Sequence, residues 1–192
     1  MFRLFTTVLF ILFANDAMAM KIGSKDFADG HNMHRHFTCE GMDISPEIHW
    51  SHVPDGTESL VLFMYDPDAL RMPCGVVDHW VLFNLPPNLR SLPQGVKLFP
   101  EGTGFGRNSS GSMTYKGPCP PVGRHHYFVR LLALDTVLDL PNGASRTEVL
   151  EALIGHVIAD VEIIGRYKSR QPRATRPRRA VGRQNSVKPS HS

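Results

Sequence analysis

Four side chains of this 192-residue chain have types and spacings suited to chemistry: Asp66, His79, His125 and Tyr127. Asp66 closes the apolar run SLVLFMYD at 59–66 and opens the turn DPDA, His79 precedes Trp80, and His125 and Tyr127 stand two residues apart in RHHYF. A carboxylate can orient an imidazole through one ring nitrogen, while histidines and a phenol can donate to an anionic oxygen. Together the four would line a small anion pocket. Taken singly, each has a plainer role: a strand-terminal Asp forms turns, and a His beside a Trp fits the rim of a core. The chain has no Gly-x-Ser-x-Gly elbow, no HExxH helix motif and no phosphate loop of the P-loop type. Binding without catalysis, and without a cofactor, is therefore the expectation.

Those residues need strands to place them. SLVLFMYD (59–66), HWVLFNL (79–85) and HHYFVRLLALD (125–135) are rich in Val, Leu, Phe and Tyr and end at turn formers. They read as strands, apolar on both faces over much of their length, and so fit the middle of a layered structure. Alternate residues share a face, so Leu60, Leu62 and Met64 form a row that Asp66 ends, and His125 and Tyr127 share another. Between the strands lie long Pro- and Gly-rich segments of the kind that carry function. Ser145 and Glu148 form a Ser-x-x-Glu capping box, and Val149, Leu150, Leu153, Ile154, Val157 and Ile158 continue it as an amphipathic helical stripe. Alternation over 160–167 predicts a last strand.

Both termini differ from this body. Arg3, the apolar run 4–14 and the small residues AMA at 17–19 read as a signal peptide spanning 1–19. The run is shorter than the roughly 20 residues a membrane helix needs, so no stable span is expected after cleavage, and the protein is expected to be periplasmic or secreted. Residues 166–192 hold nine Lys or Arg and no acid, leaving 12 basic against 18 acidic residues in 1–165. The net charge of +3 thus hides an acidic body, 20–168, and a basic, disordered tail, 169–192, suited to weak contact with polyanions. Cys39, Cys74 and Cys119 contain no CxxC pair, so no zinc framework is present. One disulfide with a free thiol, in any of three pairings, and three buried thiols both fit. His31, His34 and His36 are ligand types for a transition metal, but a polar loop before a strand accounts for them, and no metal is expected.

Taken together, DPDA at 66–69, DHW at 78–80, GPCPPVGRHHYF at 117–128 and GHVIADVEIIGRY at 155–167 resemble the phosphatidylethanolamine-binding protein family, and within it the bacterial and archaeal Raf-kinase-inhibitor-like branch. FTCEGMDISPEIHW at 37–50 and LPNGASRTEVLEAL at 140–153 resemble further blocks of that branch, in order, so the likeness spans Phe27 to Tyr167. It implies a mainly β fold: a β-sandwich with Greek-key connections, a large central antiparallel sheet, a smaller sheet and peripheral helices. It implies a pocket for phosphate-like or other small anionic groups lined by Asp66, His79, His125 and Tyr127, with Gly117 and Pro118 as a wall and Asp68 bracing the loop. Inhibition of a kinase or protease through surface loops, which occurs in the wider family, is the alternative. The chain departs from the pattern at Leu70, where proline is usual, at the insert RMPCG carrying Cys74, at Ser109, Ser110 and Thr114, and at His126, where arginine is usual. A histidine there makes the local charge depend on pH.

Overall fold

The structure, a computed structural model, describes residues 19–71 and 75–170. The signal-peptide and tail assignments, and Cys74, therefore lie almost entirely outside the described residues. Among the described residues the strands are β1 (Lys21–Gly23), β2 (His31–Asn32), β3 (Ile48–Ser51), β4 (Ser59–Asp66), β5 (Val77–Leu85), β6 (Ser91–Leu92), β7 (Gly104–Phe105), β8 (Arg124–Leu134) and β9 (Val157–Lys168). One α-helix, α1 (Arg146–Ala152), and two short 3-10 turns, Arg35–Phe37 and Asp68–Arg71, complete the set. The fold is mainly β. Among the described residues no helix is long and apolar enough to cross a membrane.

Six strands form one sheet in the order β2-β9-β8-β4-β5-β7, and three form another in the order β1-β3-β6. The central strands β8, β4 and β5 are apolar on both faces because each face meets its own core. Leu60, Leu62 and Met64 of β4 join Ile48, Trp50 and Leu92 of the smaller sheet in one cluster. Val61 and Phe63 instead join Val149 and Leu153 from the α1 region in a second. Period-two alternation therefore divides the strand between two apolar layers, with no wet face.

Ser145 caps α1 as expected: its Oγ accepts from the Glu148 amide at 3.2 Å, and the Glu148 carboxylate accepts from the Ser145 amide at 2.6 Å. The helix is shorter than the apolar stripe suggests. It gives way after Ala152 to a turn whose Gly155 has φ +85°, a conformation cheap only for glycine, and Val157 and Ile158 open β9. Two β-branched residues beyond the glycine had matched the helical period by coincidence of spacing.

Candidate functional site

The order β8-β4-β5, with both pairings antiparallel, puts the end of β4 beside the beginnings of β5 and β8. Asp66, His79, His125 and Tyr127 therefore meet at one end of the large sheet, and all four are buried, at 4%, 4%, 6% and 0% exposure. The sequence predicted each residue; the sheet order supplies their meeting.

Asp66 is fully engaged. One carboxylate oxygen accepts from the backbone amides of Asp68 at 2.9 Å and Ala69 at 3.3 Å, closing the turn after Pro67. The other accepts from Nδ1 of His125 at 2.7 Å, which fixes that ring and leaves its Nε2 as the remaining nitrogen. Asp68 does the bracing expected of it: its carboxylate accepts from both the backbone amide and Nδ1 of His126, at 2.9 and 2.7 Å. Burial raises the Asp68 pKa, but the two His126 hydrogen bonds outweigh it and hold the carboxyl below its usual range. His126, on β8, is thus tied to the 3-10 turn that follows β4.

His79 departs from the sequence expectation. Its Nδ1 lies 2.6 Å from the carbonyl oxygen of Lys116. A carbonyl only accepts, so Nδ1 carries the proton, and Nε2 of the neutral ring is an acceptor. Burial lowers the pKa of His79, against smaller opposing effects of the Lys116 hydrogen bond and of Asp66, which favours the neutral ring. Tyr127 packs edge-on against His79 with ring centroids 5.2 Å apart. Its phenol is pushed well above the usual tyrosine range by burial and then by the nearby Asp66 charge, so it stays protonated and can donate. His79 Nε2 and the Tyr127 hydroxyl are both sealed from solvent and make no hydrogen bond of good geometry, although the phenol lies near the Asp66 carboxylate. The site therefore offers one acceptor and one donor side by side.

Gly117 and Pro118 are buried and follow directly on Lys116, whose carbonyl holds His79. Gly117 is required by close approach, since a Cβ would lie 2.4 Å from the Phe37 carbonyl oxygen and 2.7 Å from Asp43 Oδ1. The residue that sequence reasoning missed is Asp43. Held at φ +56°, it accepts from the Gly117 amide and from Lys116 Nζ, both at 2.6 Å, and so sets the carbonyl that orients His79. Aspartate tolerates this left-handed conformation better than most residues, which was the only local signal. Tyr115 reinforces the clasp by donating to the Phe37 carbonyl at 2.7 Å, and the Cys39–Cys119 disulfide, with a Cys39 amide to Pro118 carbonyl bond of 3.2 Å, closes it. Of the three pairings open to the sequence, the structure selects this one.

The substituted loop is also well organised. Asn108 accepts from the Ser110 amide and hydroxyl and from the Ser112 amide, and Ser109 Oγ accepts from the Asp78 amide at 2.8 Å. Ser110 thus bonds within the loop, and Ser109 ties it to β5. Among the described residues no group of three His, Cys, Asp or Glu side chains is placed to hold a metal ion; His34 instead accepts from the His36 amide at 3.3 Å and caps a 3-10 turn.

Residues 23–168 match the family described as phosphatidylethanolamine-binding protein. This chain belongs to that family. It is 45% identical over 152 residues to the UPF0098 protein of Methanothermobacter thermautotrophicus, a match covering 78% of this chain and 99% of the relative. Its structure is similar to that of a phosphatidylethanolamine-binding protein homolog, CT736, from Chlamydia trachomatis, with a TM-score of 0.73 and 35% identity over 79% of this chain and 98% of the other. It is likewise similar to E. coli YbcL, described as a member of the mammalian PEBP family, with a TM-score of 0.72 and 32% identity over 78% and 98% of the two chains. Membership of the phosphatidylethanolamine-binding protein family makes this a small-ligand-binding fold of bacterial and archaeal type.

Proposed function

We propose that the protein is an exported binding protein that captures a phosphate-like or other small anionic group between His79 and Tyr127, without turnover. The observation that carries this reading is the pair of buried atoms without a hydrogen bond of good geometry, His79 Nε2 and the Tyr127 hydroxyl. Leaving a buried polar atom unsatisfied costs about 1–3 kcal/mol, so a ligand that satisfies both recovers that energy on binding. A singly protonated phosphoryl group has the complementary pattern: its P–OH donates to Nε2, and an anionic oxygen accepts from Tyr127. Because both protein atoms are closed off from solvent, a ligand reaches them only when a wall moves.

A holding role suits the two imidazoles, since His79 bonds the Lys116 carbonyl and His125 bonds Asp66. Export is supported by the leader-like residues 1–19 and by the Cys39–Cys119 disulfide, which persists in oxidising compartments. The same reading takes the two sheets as layers of a β-sandwich with Greek-key connections, since one apolar cluster draws residues from both.

The test is calorimetric titration of the protein with phosphate, phosphoethanolamine and phosphotyrosine, beside a variant carrying His79→Ala and Tyr127→Phe. Saturable binding that the variant loses while keeping its fold by circular dichroism is the expected result. Unchanged affinity in the folded variant overturns the site. Mass spectrometry of the exported protein is expected to find Met20 as its first residue, and an intact leader overturns the export reading.

A further inference from the structure

A cavity of about 240 Å³ opens where β9 ends and β8 begins, and Arg35, Arg124, Lys168 and Arg170 line it together with His34 and Asn32. It shares no residue with the site of His79 and Tyr127. Arg124 and Lys168 are directly paired across β8 and β9. Like charges placed opposite each other in a sheet repel, so this register is unfavourable unless something anionic lies between them.

No carboxylate is ion-paired with these cations among the described residues. Among the described residues, none of the four cationic side chains has an Asp or Glu oxygen within 4 Å, although nine other basic side chains do. Glu40 is near, but its carboxylate accepts from the Tyr167 hydroxyl at 2.6 Å, the Ser169 hydroxyl and the Arg170 amide at 3.0 Å. Arg35 reaches only the Glu40 carbonyl, at 2.8 Å, which orients the guanidinium without neutralising it. His34 accepts from the His36 amide through Nδ1, so its neutral ring carries the proton on Nε2 and is a further donor. Every polar side chain named in the lining can donate, and four cations converge there beside the single carboxylate of Glu40 without an ion pair among the described residues.

We infer that this cavity is a second anion site, which takes a phosphate or sulfate ester group between Arg124 and Lys168, with Arg35 and Arg170 closing around its oxygens. Guanidinium groups suit tetrahedral oxyanions because their N–H donors pair with two oxygens at once. The cavity is a depression in the surface, and both paired cations are exposed, so an ester carried on a larger molecule can enter without any wall moving.

The experiment is titration of the full isotope-labelled chain with inorganic phosphate, inorganic sulfate and a sulfated disaccharide, followed by amide and arginine side-chain NMR. Saturable shifts at Arg124, Lys168 and Arg170 are expected, and preference among the three probes identifies the ester. A variant carrying Arg124→Gln and Lys168→Gln should weaken this binding about tenfold or more, because each change removes a charge-assisted hydrogen bond. The shifts should persist in the variant carrying His79→Ala and Tyr127→Phe, which separates this site from the buried one. Both glutamine changes are at exposed positions, and the Arg124→Gln single variant provides a milder check. Absence of saturable shifts at these residues, or affinity unchanged in the glutamine variants, overturns the assignment.

Discussion

Raising the pH should release the ligand from the buried site, and the protonation pattern there says by how much. Above neutrality His79 is an acceptor at Nε2, because its Nδ1 proton is held on the Lys116 carbonyl and burial lowers its pKa. A fully ionised phosphomonoester has only acceptors, so it would set one lone pair against another. Binding therefore takes up one proton, on the ligand oxygen or on Nε2, whichever ligand oxygen faces the ring. Phosphomonoesters lose their second proton near pH 6, so above that value, and above the lowered His79 pKa, the association constant should fall about tenfold per pH unit. From pH 7 to 8.5 the loss is about 30-fold, or ~2 kcal/mol. Calorimetry of phosphoethanolamine in buffers of different ionisation heat reads the proton count directly. Tyr127, packed edge-on against the ring, supplies no such titration in this range, because burial holds its phenol protonated. In His79→Gln, whose amide donates without titrating, the slope should flatten. A flat profile in the unaltered protein, with no proton uptake, would refute the tautomer assignment.

Further outcomes follow from the surrounding bonds. Asp66→Ala strands the Asp68 and Ala69 amides and the buried His125 ring, and should cost about 3–5 kcal/mol in urea unfolding; a loss below 1 kcal/mol would contradict the network. Paired Cys39→Ser and Cys119→Ser changes open a link between residues 80 apart in sequence and should cost about 2–5 kcal/mol, read the same way. Ser145→Ala removes a capping box and should cost about 1 kcal/mol with no effect on phosphate binding. Asp43→Ala frees the Lys116–Gly117 segment and should weaken phosphate binding while leaving the Asp66–His125 pair in place, which the His125 ring proton in NMR would report.

How far the sequence foretold this arrangement depended on the range of each signal. Strands β4, β5 and β8 were legible because two-sided apolar runs such as Leu60 to Met64 have one economical use, between two cores. The capping box was legible because it is complete within four residues. The end of α1 was not, since Val157 and Ile158 fit a helical stripe and a strand equally, and only Gly155 separated the two. The polar role of His79 could not be read either: its tautomer is set by a carbonyl 37 residues away, itself positioned by Asp43. The pairing of Arg124 with Lys168 was hidden for the same reason, because register between distant strands is a property of the folded sheet.

The long last strand raises a matter of solubility. β9 runs for 12 residues, yet among the described residues its outer edge meets β2 only at Gly165 and Arg166. Its first residues, Val157 and Ile158, remain 39% and 41% exposed. Such an edge offers unpaired backbone groups to another chain, and sheets commonly blunt it with charge. Asp160 and Glu162 stand on this stretch, and their partner Arg130 lies on β8, further inside the sheet. Two copies brought edge to edge would juxtapose these carboxylates, so neutralising them with Asn and Gln should lower the concentration at which the protein self-associates.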